Sequence, residues 1–283
     1  VEVRARADRI KKAFNPEWFD SQKARYASGS QTANFIALSL GIVPEAQRKQ
    51  VVQNTISDIQ GNYEGRHHTG NTGTTCMIET LAADGHGEAM YNMLNQTDYP
   101  GWGYMIASGA TTIWESWSGP AGPVGDADSM SMYATVDKFF HNDLAGIKGP
   151  GYYLPDEIEP GFTRLQISPF IPADLTWFHD RMKTSNGMIP SHWEKADEGV
   201  VMPIQVPPGS DAVLTAPVVP SPELTIVEGA RVIWRNGAQT LTHAGIKLIE
   251  AEGECVRIRT SCGRYRFVFN TDPSKLKKKI YDT

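Results

Sequence analysis

A length of 283 residues gives room for one large domain or two of ordinary size, enough to bury a real core. With 27 basic and 32 acidic residues the formal net charge is −5, which excludes a general attraction to phosphate backbones or anionic lipid, so neither nucleic acid nor membrane is an expected partner. No apolar run approaches the roughly 20 residues that span a bilayer, and the opening VEVRARADRIKKAF reads as a charged amphipathic stretch, not a signal sequence.

Up to about residue 148 the periodicity is helical. Val3 to Phe14 is a first short helix, and Gln31 to Leu40 a second with Ala33, Ile36, Ala37 and Leu40 on one face. Pro44 opens a third at a favoured first-turn position, with Val51, Val52, Ile56 and Ile59 on one side. Thr74 to Ala83 and Gly87 to Gln96 form a pair around Asp84-Gly85, a good helix stop, and Ser129 to Leu144 is the sixth helix. Six helices make three hairpins. Between the last two runs YPGWGYMIASGATTIWESW, Tyr99 to Trp117, where Pro100, Gly101, Gly103 and Gly109 argue against a regular helix. It is expected to cross the protein as an extended or looped segment held by aromatic anchors.

Residues 149–162, GPGYYLPDEIEPGF, are dense in Gly and Pro and mark a domain boundary. Beyond them the period changes to two. Arg164 to Ser168, Asp174 to Met182, Gly187 to Lys195, Gly199 to Val206, Asp211 to Ala216, Arg231 to Arg235, Thr240 to Leu248, Cys255 to Thr260 and Tyr265 to Phe269 read as strands of an antiparallel sandwich. The basic tail Lys275 to Lys279 reads as a solvated terminus. Cys76, Cys255 and Cys262 make an odd count without CxxC or Cys/His spacing, so neither a disulfide framework nor a zinc site is expected, and no cofactor is implied. Cys255 and Cys262 could still meet across a hairpin. The compartment stays open, with export, its signal removed, ahead of a cytoplasmic location.

The candidate chemistry concentrates in the aromatic stretch. Glu115 lies between Trp114 and Trp117, and a carboxylate flanked by indoles suits a sugar site: the rings cover the apolar faces of a pyranose, and low polarity keeps the carboxylate a usable base. Ordinary core packing of the two tryptophans is the alternative. Trp102 and Tyr104 are read either as sugar platforms or as core. His67 and His68, just before the turn TGNTGT, are candidate site residues or a surface pair. Asp126 and Asp128 read as a helix-capping turn rather than a second catalytic carboxyl. His86, His141, His179, His192 and His243 lack a carboxylate or histidine at ligand spacing and read as structural.

The segments YPGWGYMI and GATTIWESW resemble the α-L-rhamnosidases of glycoside hydrolase family 78, and so, in the same order, do GSQTANFIALSL (Gly29 to Leu40), TGNTGT (Thr69 to Thr74), LAGI (Leu144 to Ile147) and Ile189 to Pro207. The resemblance covers most of the chain. It implies an α+β multidomain fold: residues 1–148 as the second half of an (α/α)6 barrel, 149–162 as linker, and 163–283 as an antiparallel β-sandwich without catalytic residues. A half-toroid would leave an apolar flank open to water, so an N-terminal segment or companion chain is expected to complete it.

The same resemblance makes Glu115 the general base of an inverting hydrolysis, with the general acid in the first half of the barrel. Loops at the place of His67 and His68 approach the barrel's open end in that family, so both are expected near the substrate. The family's Asn-His pair after the glutamate loop aligns here with Ser131 and Met132, and methionine cannot donate a hydrogen bond to a sugar hydroxyl. The implied substrate is an oligosaccharide or polysaccharide carrying terminal α-L-rhamnose. Two alternatives stand beside hydrolysis: a polysaccharide lyase on the same scaffold that cleaves a rhamnose–glucuronate linkage with His67, His68 or Tyr104 moving the proton, and a non-catalytic sugar-binding fragment.

Overall fold

The computed structural model describes residues 2–120, 128–148, 160–218, 220–240, 245–252 and 255–270. Two compact units divide between Val136 and Asp137.

The first unit is helical. Helix α1, Glu2–Trp18, leads into a two-stranded hairpin of β1, Phe19–Asp20, and β2, Arg25–Tyr26, with Phe19 opposite Tyr26. Helix α2, Gln31–Ser39, starts at Ser30, whose hydroxyl accepts the Ala33 N–H at 3.3 Å and satisfies one of the orphan donors of the first turn. Helix α3, Glu45–Gly61, follows Pro44; α4, Asn71–Ala83, follows Gly70; α5 is Gly87–Leu94. Helix α2 packs on both α3 and α4, and α5 on α4. The expected face of α3 is buried as read, with Val51, Val52, Ile56 and Ile59 inside. That of α2 is rotated: Gln31, Asn34, Phe35, Ala37 and Leu38 are buried, while Leu40 is exposed. The polar members can face inward because each is bonded there, Asn34 Nδ2 to Thr55 Oγ1 at 3.1 Å and Gln31 Nε2 to Asp58 Oδ2 at 3.0 Å.

The stretch expected to be looped contains a helix. Helix α6, Trp102–Ala107, begins after Pro100 and the extended Gly101, whose backbone is not helical, and stops at Gly109, φ +86°. Gly109 N–H bonds to Ile106 O at 3.0 Å and Ala110 N–H to Met105 O at 2.9 Å, the paired bonds of a Schellman stop. Gly103 is no breaker here. A Cβ at that position would lie 2.2 Å from the Gln96 carbonyl, so glycine lets the helix rest on the chain end of α5.

The expected sixth helix is broken as well. Met130 N–H bonds to Ile113 O at 2.8 Å, which holds the residues before Tyr133 in bends. From there the chain runs through a 3₁₀ turn, Tyr133–Val136, the single turn α7, Asp137–Phe139, and a π turn, Phe140–Leu144. The unit division falls inside this run.

The second unit is built of sheets. Its strands are β3 Ile147–Lys148, β4 Arg164–Ile167, β5 Trp177–Thr184, β6 Gly187–Ala196, β7 Gly199–Val206, β8 Asp211–Thr215, β9 Thr225–Glu228, β10 Arg231–Arg235, β11 Ala238–Gln239, β12 Ile246–Glu252, β13 Cys255–Thr260 and β14 Gly263–Asn270. One sheet has the order β11-β10-β9-β14-β7-β6-β5 and the other β12-β13-β8-β4-β3. One core of alternate side chains from both sheets, including Trp193, Phe267, Phe269, Ile167, Leu214 and Ile258, joins them. Pairing is antiparallel except between β4 and β8, which run parallel with Leu165 opposite Ala212. Residues 144–148 belong here: Trp193 Nε1 donates to Leu144 O at 2.8 Å, Ser191 Oγ to Ala145 O at 2.6 Å, and β3 pairs with β4. The expected linker lies outside the described residues up to 159, as does the basic tail. Cys255 and Cys262 are free thiols, because β13 and β14 belong to different sheets and no hairpin brings them together.

Candidate active site

The turn that opens α4 anchors the aromatic stretch. Thr69 is buried, and its hydroxyl lies 3.2 Å from His67 Nδ1 and 2.8 Å from Thr74 Oγ1, while Thr74 Oγ1 donates to Gly70 O at 2.9 Å. The Thr69 carbonyl accepts the indole N–H of Trp117 at 2.8 Å. Gly73 allows this turn to sit against α2, since a Cβ there would lie 2.4 Å from Thr32 Oγ1. TGNTGT is thus a clamp made of hydroxyls, one carbonyl and one close approach.

Around the clamp the rings form two layers. In the inner layer, His67 lies with its centroid 4.5 Å from Trp117 and 5.4 Å from Trp102; the two indoles are 5.1 Å apart and edge-on, and Tyr133 covers Trp117 at 4.0 Å. All four are buried, and Trp102 Nε1 donates to the Tyr133 carbonyl at 3.0 Å. The outer layer is Tyr99, Tyr104 and Trp114, with Tyr104 edge-on to Tyr99 at 5.5 Å and to Trp114 at 6.5 Å. Tyr99 is exposed; Tyr104, Trp114 and Glu115 are half-buried. Trp114 rests over Gly119, where a Cβ would come within 2.8 Å of its ring.

The geometry sorts the expected site residues. Glu115 has Trp114 of the outer layer on one side and Trp117 of the inner layer two residues on, so both flanks of its backbone are fixed. Trp102 and Trp117 are floor, not exposed platforms, because their N–H groups serve backbone carbonyls and their rings are covered. His67 and His68 do not act as a pair. His67 is 1% exposed, its Nε2 has no hydrogen-bond partner among the described residues, and burial, reinforced by the neighbouring His68, pushes its pKa down to about 4, so the ring is neutral. His68 is exposed and stacks on Tyr63 at 4.9 Å. Met132, exposed, uses its sulfur as acceptor for Asn71 Nδ2 at 3.0 Å. Asp126 lies outside the described residues, and the Asp128 carbonyl accepts the Thr112 hydroxyl.

Thr69, Thr74, Asn71 and Tyr133 were not singled out from the sequence. Threonines before a helix look like ordinary caps, and only the fold brings Tyr133 onto Trp117. Three histidines read as isolated have partners in the second unit: His141 Nδ1 is 2.6 Å from Asp180 Oδ2, and the His179 and His192 rings meet across β5 and β6 at 3.5 Å. Among the described residues no group of three or more His, Cys, Asp or Glu side chains could hold a metal ion, and no helix is long and apolar enough to cross a membrane.

Comparison with known proteins gives a consistent set of matches. A family model described as the bacterial alpha-L-rhamnosidase 6 hairpin glycosidase domain matches residues 2–144, and one described as the bacterial alpha-L-rhamnosidase C-terminal domain matches residues 154–231. The chain is 27% identical over 266 residues to an alpha-L-rhamnosidase of Formosa agariphila, which covers 91% of this chain and 27% of that protein. It is 25% identical over 265 residues to an alpha-L-rhamnosidase of Streptomyces avermitilis, covering 92% and 23%. Among solved structures, the alpha-L-rhamnosidase of Dictyoglumus thermophilum matches with a TM-score of 0.81 at 28% identity over 93% of this chain and 28% of that one. The Streptomyces avermitilis enzyme complexed with L-rhamnose is alike in fold, with a TM-score of 0.76 at 24% identity over 92% and 23%. The chain therefore spans about a quarter of the length of the curated relatives it matches.

Proposed function

The chain belongs to the bacterial α-L-rhamnosidase family, and from that membership we propose that it supplies the Glu115-bearing part of a glycoside hydrolase that releases terminal α-L-rhamnose from a glycan. In this reading its helical residues form half of an (α/α)6 ring, a further polypeptide segment supplies the other hairpins together with the general acid, and the sheet unit is a packing module. Glu115 is the base of an inverting reaction: it takes a proton from water on the face opposite the leaving group, while the acid protonates the departing oxygen.

The observation that carries the reading is the clamped backbone on both sides of Glu115, with Trp117 bonded to Thr69 O and Trp114 seated over Gly119. A general base must be held to within about half an ångström of its productive position, and a dry aromatic floor limits competing hydration. Tyr104 and Trp114, the half-buried outer rings, are the sugar-facing surfaces.

Glu115→Gln tests it, in a polypeptide that also carries the rest of the barrel. The turnover number is expected to fall by roughly 10²- to 10⁴-fold with the fold unchanged by circular dichroism. Unchanged kcat and KM would make the carboxylate structural and remove the hydrolase assignment of this loop. The product separates hydrolysis from elimination: free rhamnose without ultraviolet absorbance, against an unsaturated uronate chromophore. Elimination through His67 is not favoured, since that ring is sealed under Trp102 and Trp117.

A further inference from the structure

The helical unit has a second polar site. A cavity of about 320 Å³ lies between the β1–β2 turn and the second half of α3, lined in part by Lys23, Arg25, Asn54, Ser57, Asp58 and Asn62. That is the lower end of the range of small-ligand pockets, about 300 Å³ upward, and gives room for a single ring. Its walls are fixed. Asn54 Nδ2 ties α3 to the Lys23 carbonyl at 2.9 Å, and the Arg25 side chain lies against Gly29, where a Cβ would meet Arg25 Cδ at 2.7 Å and where φ is +82°.

Two cations, Lys23 and Arg25, share the cavity with one carboxylate, Asp58, so one positive charge is left over. Asp58 keeps its charge, but its oxygens are held by amides, Oδ1 accepting Asn62 Nδ2 at 2.7 Å and Oδ2 accepting Gln31 Nε2 at 3.0 Å. Among the described residues neither Lys23 nor Arg25 has an ion-pair partner, and Arg25 Nε is a buried donor without an acceptor. Nε is closed to solvent, so the terminal nitrogens of the guanidinium are the ones that can give two N–H bonds to an anion with two acceptor oxygens, a carboxylate or a sulfate ester alike. Position adds to this. Gln31, 2% exposed, holds Asp58 through its amide N–H and accepts the His68 backbone N–H on Oε1 at 2.7 Å, so one side chain joins the cavity wall to the segment that carries His67 under the Glu115 loop.

We propose that this cavity is a subsite for a sugar residue bearing an anionic substituent, a carboxylate or a sulfate ester, in the same glycan whose rhamnose the Glu115 loop addresses. The placement in the glycan rests on the hydrolase reading; the recognition of an acidic sugar does not. Arg25 and Lys23 bind the anion, and the Ser57 hydroxyl and the Asn62 amide oxygen take ring hydroxyls.

Titration calorimetry of the chain with D-glucuronate, D-glucose 6-sulfate and D-glucose tests it. An acidic sugar is expected to bind at least roughly tenfold more tightly than glucose, as a charge-assisted pair of bonds requires, and to weaken with added salt. The tighter of the two acids identifies the substituent. Arg25→Gln should abolish the preference, and Ser57→Glu, an exposed helix position tolerant of glutamate, should do the same by placing a like charge in the cavity if Arg25→Gln does not fold. Glu115→Gln should bind as the wild type does. Equal binding of glucose and both acids, no binding of any acid, or an unchanged preference in Ser57→Glu overturns the subsite. Acid-sugar binding without Glu115-dependent hydrolysis would instead remove the hydrolase reading and leave the subsite standing.

Discussion

His67 couples the aromatic floor to pH. In the unfolded chain an imidazole titrates near its ordinary 6.5, whereas burial holds the folded ring at about 4. Above 6.5 both states carry a neutral ring and stability is unaffected. As pH falls from 6.5 to about 4 the unfolded chain takes up a proton that the folded chain refuses, so stability is lost, on the order of 3 kcal/mol in all. Urea unfolding across that window should show this decline, and His67→Gln should flatten it while starting from a lower value at neutral pH, because its ring contacts with Trp102 and Trp117 are gone. A wild-type profile flat between pH 6.5 and 4 would mean the ring is not sealed. At this scale the adjacency of Glu115 to Trp114 and Trp117 is written in the sequence, while its role as a base is the proposal made above. The burial of His67 is not written there, since its cover comes from residues 102 and 117, far along the chain.

The contact between α2 and α4 turns on one glycine. Alanine at position 73 would gain about 1 kcal/mol in helix propensity over glycine, yet its Cβ would stand 2.4 Å from Thr32 Oγ1 and 3.0 Å from Thr32 Cβ. Gly73→Ala is therefore expected to destabilise the helical unit by about 1–3 kcal/mol net of that gain. In the Thr32→Ala background, with Oγ1 and Cγ2 removed and only the Cβ at 3.0 Å left to yield, the same change should cost much less. The double-mutant cycle reads the coupling directly, and additive effects would show that the helices separate freely. Helix α6 teaches a related point. A rule that counts Gly103 as a break misses that glycine there is what allows the helix to approach the Gln96 carbonyl. Close approach and flexibility leave the same letter in a sequence.

At the scale of the molecule, the division at Val136/Asp137 places Leu144, Ala145 and β3 with the sheets. A polypeptide of residues 137–283 keeps the acceptors of Trp193 Nε1 and Ser191 Oγ, and it should give a cooperative unfolding transition with strand-rich circular dichroism. Starting instead at residue 149 strands both of these fully buried donors and removes an edge strand. At about 1–3 kcal/mol for each unsatisfied buried group, the shorter polypeptide should be clearly less stable, with an earlier denaturation midpoint. Equal midpoints would mean that residues 137–148 contribute little to the sheet unit.

Features specified by neighbouring residues were readable from the chain alone: the change from helical to alternating period, the buried side of α3, the bounds of β7, β10 and β13, the helix stop at Asp84-Gly85, and the tryptophan-flanked glutamate. Each depends on side-chain spacing or turn chemistry within about a dozen positions. The parallel pairing of β4 with β8, the free state of Cys255 and Cys262, the face α2 buries and the layering of the rings came only with the tertiary structure. Trp117 finds its acceptor 48 residues away at Thr69, and Trp102 finds its own 31 residues away at Tyr133. Whether an indole is floor or platform depends on which distant carbonyl receives its N–H, and spacing along a sequence does not encode that.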